Sequence, residues 1–159
     1  MLTILHAAAT LLMTGVVLCI AVVHYPLFAK VGKDAWTAYE AAHVVGITWV
    51  VAPLMLAEVV LAVLLLIMPA ATAATNRSTL TGTVANFVTP SLLAWIGLGL
   101  LAICWGITFF FSVPQHGRLA TGWDDPTHAA LLWWNWVRTL AWVARSVVAV
   151  WLLAMLLPR

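Results

Sequence analysis

The chain has 159 residues, of which 65% are hydrophobic and only 8% charged, and its mean hydropathy is +1.08. A soluble domain of this size does not have such a composition, because it would lack the polar side chains that keep a protein in water. The net charge of +2 and the lack of a basic run give no reason to expect nucleic-acid binding.

Four apolar stretches are each long enough to cross the ~30 Å hydrocarbon core of a bilayer as a helix. They run over residues 3–25, 43–68, 90–113 and 131–157. No basic segment or clean cleavage site marks the first stretch as a signal peptide, so we expect it to be retained. The sequence therefore predicts an all-α integral membrane protein: a single domain (1–159), a four-helix bundle with short loops and both termini on the same side.

Prolines and polar residues mark the expected ends of these helices. Pro26 should end the first helix, and Pro114 should follow the third. The polar stretch Ala74–Thr83 should form the main surface loop. In "DDPTH" we expect Asp125 to be the N-cap and Pro126 the first helical residue, so that the fourth helix begins before the membrane.

Basic residues give a weak indication of orientation. Lys30, Lys33 and Arg118 belong to the side of the first and third loops, whereas Arg77 and Arg159 belong to the other side. Three basic residues against two narrowly favour a cytoplasmic location for the first and third loops.

Two opposite charges lie at the same predicted depth on different helices. Counted from the plane of the first and third loops, Glu58 is ~22 Å and Arg145 ~21 Å inside, and His6, at ~28 Å, belongs to the same deeper group. An isolated charge near the bilayer centre costs ~2.5–3.5 kcal/mol, so we expect Glu58 and Arg145 to form an intramembrane ion pair. Such a pair either locks the second helix to the fourth or takes part in a proton or substrate relay.

Polar residues also recur along one face of the fourth helix. His128, Asn135, Arg138, Trp142 and Arg145 follow one another at steps of 7, 3, 4 and 3 residues, which forms one stripe. Polar faces of a bundle in lipid turn inward. The bundle should therefore have a polar seam in its interior.

Four of the five histidines fall at one end of this seam, level with the first and third loops. Glu40 and His43 form a Glu-x-x-His sequence, a spacing that puts a carboxylate and an imidazole on one helical face in di-iron bundles. Imidazole and carboxylate ligands suit iron, copper or zinc. We expect a transition metal here, iron or copper first and zinc as an alternative, held by His24, Glu40, His43, His116 and His128.

Other interpretations of these residues are open at this point. Interfacial histidines and acids also meet water and lipid headgroups, or form a metal-free acid–base site. Haem b is the runner-up cofactor, held by His24 with His43 or His116, since His6 and His24 are ~27 Å apart along one helix and cannot share an iron. Asp124 is a candidate further ligand or acid–base group.

The deeper tryptophans either pack in the core or wall a flat apolar pocket: Trp49, Trp105 and Trp142.

Several blocks of the sequence resemble a group of small uncharacterised bacterial four-helix membrane proteins: "HYPLF", "YEAAH", "TWVVAPLMLAE", "VPQHGRL" and "NWVRTLAWVAR". More distantly, "VPQHGRL" followed by "NWVRT" is similar to the anthrone-oxygenase-like membrane family. This resemblance implies a bacterial inner-membrane protein that oxygenates a flat, lipophilic aromatic substrate. The positions of this chain that correspond to the family's motif residues are the following: Pro114, His116, Leu119, Asn135, Arg138 and Thr139.

The chain departs from that family in a way that favours a metal. His116 stands where the family usually has Asn, and His24, Glu40, His43 and His128 are additional ligand-type residues. The resemblance alone would imply chemistry without a cofactor. The expected function is therefore a small membrane oxidoreductase, oxygenase-like, with a His/carboxylate metal site near one membrane face.

Two residues of the fourth helix are expected to act on the substrate. Asn135 and Arg138 would orient the substrate, dioxygen or an anionic intermediate, because a charged donor stabilises developing negative charge. The expected partners are the bilayer and a lipophilic small molecule, with a homo-oligomer or a larger complex left open. The alternatives are a haem- or metal-binding subunit of a larger membrane complex, and a small transporter that uses Glu58 and Arg145.

Overall fold

The computed structural model describes residues 1–68 and 89–156. Its four long helices are α1 (Leu2–Lys30), α2 (Lys33–Ile67), α3 (Pro90–Leu119) and α4 (Asp125–Leu156). Each of them is long and apolar enough to cross a membrane. Because the described residues are helical almost throughout and include no strand, the predicted all-α four-helix membrane bundle is confirmed.

Consecutive helices run antiparallel and bring the two short connections to one end. Thr14 of α1 contacts Ser146 of α4, with 2.7 Å between the hydroxyl oxygens, and the Tyr25 carbonyl of α1 lies 2.9 Å from His128 Nε2 near the start of α4. The connections 31–32 and 120–124 lie at this Tyr25 end, and the first residues of α1 and the last described residues of α4 lie at the other end. The predicted surface loop Ala74–Thr83 lies outside the described residues.

Two of the predicted helix ends are wrong. Pro26 and Pro114 lie inside α1 and α3, which continue past them to the ends given above. A π-helical turn precedes each proline, over Ile20–His24 and Thr108–Ser112. Proline has no N–H to donate and clashes with the carbonyl four residues before it, and a wider turn relieves both problems.

The start of α4 also differs by one residue from the prediction. The Thr127 N–H donates to Asp124 Oδ2 over 3.0 Å, and the His128 N–H donates to the Asp124 carbonyl over 3.0 Å. The N-cap is therefore Asp124, not Asp125. Asp125 instead accepts a hydrogen bond from the Trp123 indole over 2.8 Å.

Apolar side chains form two clusters in the bundle. The first lies in the middle and includes Met13, Met55, Leu101 and Trp142. The second lies near the short connections, where the buried Trp36 indole donates to the Leu119 carbonyl over 2.7 Å. The candidate site described below lies against this second cluster.

Candidate functional site

A group of three possible metal ligands joins α2 to α3. Glu40 and His43 come from one face of α2, three residues apart, and His116 comes from α3 just after Pro114. One ligand atom from each of the three lies within 4.8 Å of the others. Glu40 is fully buried and the His116 side chain is 13% exposed. The structure thus brings together three of the five residues predicted to hold a metal.

A hydrogen-bonded chain links the buried carboxylate of this group to a phenol. His116 Nδ1 lies 2.6 Å from Glu40 Oε1, and His116 Nε2 lies 2.8 Å from the Tyr25 hydroxyl oxygen. A neutral imidazole with its proton on Nδ1 donates to the carboxylate and accepts from the Tyr25 hydroxyl. Tyr25 is not among the predicted site residues, and its only sequence signal is its position beside His24 in "HYPLF".

His24 is hydrogen-bonded to His43. His24 Nε2 lies 2.9 Å from His43 Nδ1. Metal-ligating histidines commonly have their second ring nitrogen engaged in this manner. Within the described part of the chain, His43 Nε2 and Glu40 Oε2 are buried and have no hydrogen-bond partner. His43 and Glu40 thus each have a free ligand atom beside His116, and this combination of two imidazoles and one carboxylate fits a transition metal.

The other predicted site residues lie outside this three-residue group. The 2.9 Å between the His24 and His43 nitrogens is shorter than the ~4 Å that separates two nitrogens on opposite sides of one metal. These two nitrogens are therefore not a pair that would ligate one haem, and a haem held through other ring nitrogens, or by His24 with His116, stays a prediction. His128 contacts the Tyr25 carbonyl, and Asp124 caps α4. Direct metal ligation by His24 or His128, and a catalytic role for Asp124, stay predictions.

A large apolar cavity lies next to the three-residue group, between α2 and α3. Its volume is about 720 Å³. We call it the lipid-side cavity because three of its lining residues, Leu56, Phe109 and Val113, are each more than half exposed on the membrane-facing surface. Tyr25 and His116 line it as well, so the hydrogen-bonded chain reaches its wall.

The tryptophans proposed for a pocket have three different locations. Trp105 lines the lipid-side cavity. Trp142 is fully buried in the middle apolar cluster. Trp49 is 79% exposed on the outside of α2. Only Trp105 therefore walls the cavity.

Arg138 also lines the lipid-side cavity. Its side chain is 4% exposed, and it donates to Asn135 Oδ1 over 2.7 Å and to Thr108 Oγ1 over 3.2 Å. Asn135 is fully buried and orients Arg138 from one turn earlier on α4. The structure thus places Arg138 where it can contact a molecule in the cavity.

The deeper charges meet in the other half of the bundle. Arg145 Nε lies 3.6 Å from Glu58 Oε2, and Arg145 Nη2 lies 3.1 Å from His6 Nε2. Arg145 also donates through Nη1 to the Gly97 carbonyl. All four helices contribute to this group, which we call the deep group. Trp142 lies between it and Arg138 on the same face of α4.

Comparisons with models of protein families, with curated proteins and with solved structures gave no match. The resemblance to the anthrone-oxygenase-like family stays an expectation for this reason.

Proposed function

We propose that this protein is an integral membrane oxidoreductase, oxygenase-like, that acts on a lipophilic molecule in the lipid-side cavity. Glu40, His43 and His116 would hold a transition metal, iron or copper. The observation that carries the proposal is that His116 belongs both to the three-residue ligand group and to the cavity wall. A substrate in the cavity would lie beside the metal. On the bacterial resemblance, we assign the protein to an inner membrane.

A bound iron or copper would supply the redox chemistry. His116 would give up one of its two hydrogen bonds to ligate it, while His43 and Glu40 each offer a free atom. If His116 ligates through Nδ1, its Nε2–H would donate to the Tyr25 oxygen, and the Tyr25 hydroxyl would be free to hold or give a proton at the cavity wall. Arg138 would stabilise negative charge on the substrate, in a cavity whose apolar walls exclude water.

The test is the metal content and the optical spectrum of the protein purified in mild detergent. The proposal predicts about one iron or copper per chain and no Soret band. A Soret band would favour a haem-binding subunit instead. Stoichiometric zinc would support the site but contradict redox chemistry, and protein without bound metal would contradict the metal-dependent function.

A further inference from the structure

We infer that the lipid-side cavity binds a lipophilic organic acid, a molecule with one carboxylate and an apolar body, whose carboxylate pairs with Arg138. The inference deepens the proposed function by naming the substrate class of the same cavity. It stands on the contacts of Arg138 among the described residues and not on the metal.

Arg138 is a permanent charge in an apolar environment. It is 4% exposed and lies seven residues, ~10 Å, beyond the expected membrane boundary at Leu131. The guanidinium group keeps its proton in proteins. A charge at such a depth is costly unless another group compensates it.

No acidic residue of this chain is in contact with Arg138. The chain has five acidic residues, and all five lie in the described parts. Glu40 accepts a hydrogen bond from His116, and Glu58 lies beside Arg145. None of the described carboxylates lies within 4.0 Å of Arg138. The remaining three are exposed near helix starts: Asp34, Asp124 and Asp125.

The guanidinium group of Arg138 has N–H groups that make no hydrogen bond within the described residues. An arginine carries five N–H groups. Two hydrogen bonds go to neutral acceptors, Asn135 and Thr108, and Nε has no partner among the described residues. A planar guanidinium with free N–H groups suits a carboxylate, which can accept two parallel hydrogen bonds. The ligand that completes this site is therefore an anion.

The lining and the volume of the cavity indicate the chemistry of the rest of the ligand. Its lining is mainly aliphatic and aromatic, and the 720 Å³ volume is in the range of small-molecule sites. The exposed lining residues Leu56, Phe109 and Val113 make it accessible from the side, where the acyl chains of lipids lie. An amphiphilic acid dissolved in the bilayer would enter the cavity from the lipid-facing side. Its carboxylate would then lie toward Arg138, and its apolar body would lie between α2 and α3.

The experiment uses the full chain in lipid nanodiscs, with dibromostearic acid as the probe and the equivalent dibrominated alcohol as the neutral comparison. Bromine quenches tryptophan fluorescence on contact, and Trp105 lines the cavity. We expect the acid to quench at a roughly tenfold lower concentration than the alcohol, as one charge-assisted hydrogen bond implies. Exposed tryptophans such as Trp49 are quenched by both probes, so Trp105→Phe should remove the difference between acid and alcohol and not the quenching as a whole.

Two arginine variants separate cavity binding from surface attraction. Arg138→Gln should abolish the preference for the acid, and Arg138→Lys should keep part of it. Arg118→Gln, which removes an exposed charge from the same end of α3, should leave the preference intact. Equal quenching by acid and alcohol in the wild type would overturn the inference, as would an equal loss in Arg118→Gln. If Arg138→Gln does not fold, the wild-type comparison alone decides.

The failure of this inference differs from the failure of the proposed function. Acid binding requires no metal, so a metal-free protein that prefers the acid would retain the inference and lose the oxidoreductase. A protein with iron or copper but no preference for the acid would retain the oxidoreductase and lose the inference.

Discussion

Arg145 of α4 and Glu58 of α2 hold opposite charges 3.6 Å apart at Nε and Oε2, and neither side chain is exposed. His6 and the Gly97 carbonyl complete the contacts of Arg145. The pair connects helices that are distant in sequence, at a depth where water cannot screen the charges. Its removal should therefore have large effects on stability.

Glu58→Gln should destabilise the bundle by about 3–5 kcal/mol, because Arg145 would be left buried without a counter-charge. Arg145→Gln should cost less, because Glu58 can be neutralised by a proton. The double variant should recover much of the loss through a hydrogen bond between the two amides. Thermal unfolding in detergent measures all three. A double variant that loses the sum of the two single losses would show that the side chains do not interact.

Gly97→Ala tests how tightly Arg145 is held. A methyl group at Gly97 would lie 3.4 Å from Arg145 Nη1 and 3.7 Å from a Val148 methyl. At 3.4 Å the methyl group would be at the tight end of van der Waals contact, so Arg145 Nη1 would move by a few tenths of an ångström at most, and we expect a loss of roughly 1 kcal/mol. Gly99→Ala is the matched control, because a methyl group there meets nothing within 4 Å and should be neutral or stabilising. Equal unfolding temperatures for the two variants would contradict the contact.

Asp124 should make stability depend on pH. Thr127 donates from its hydroxyl and its N–H to the Asp124 carboxylate and so holds the pKa of that carboxyl below its ordinary value. A carboxyl whose pKa falls on folding stabilises the folded state above its unfolded pKa of ~3.9, and this contribution is lost as pH falls through the folded pKa. The unfolding temperature of the wild type should therefore drop below about pH 4.

Asp124→Asn is the variant that checks this pH dependence. Asparagine is also a good N-cap, so the helix start should survive, but it does not titrate. The drop in unfolding temperature on acidification should be smaller in this variant than in the wild type. The same drop in both proteins would mean that other groups cause it.

Glu40→Gln should lower the metal content of the purified protein. Glu40 offers a free Oε2 in the three-residue group, and a neutral amide is a poor replacement for a carboxylate ligand. The fold should be retained, because an amide oxygen can still accept from His116 Nδ1. Unchanged metal content with the wild-type unfolding temperature would remove Glu40 from the ligand set.

Helix number and the inward stripe of α4 could be predicted from sequence, since both depend only on hydropathy and the 100° turn per residue. His128, Asn135, Arg138, Trp142 and Arg145 are all buried, as the stripe predicts. The α-helical period does not hold at the π-helical turns before Pro26 and Pro114. An extra residue in the turn changes the direction of every side chain that follows it on the helix.

That rotation explains why Tyr25 was not predicted. The 18-residue separation of His6 and His24 implies one shared face, yet the π-helical turn Ile20–His24 intervenes, and Tyr25 is more deeply buried than His24. An apolar pocket walled by the deeper tryptophans is one of two open predictions, but the position and the other lining residues of the lipid-side cavity could not be predicted. The cavity depends on how closely α2 and α3 approach each other, and the sequence pattern of one helix does not determine this distance.

The metal content of His43→Ala tests the central claim most directly. His43 has its Nδ1 against His24 and its Nε2 free, so its loss removes a ligand without leaving a buried charge unpaired. His6→Gln is the matched control, since it removes a histidine from the deep group while keeping an acceptor for Arg145. The account predicts that His43→Ala loses the stoichiometric iron or copper while His6→Gln keeps it. Full metal content in a folded His43→Ala protein would contradict the proposed site.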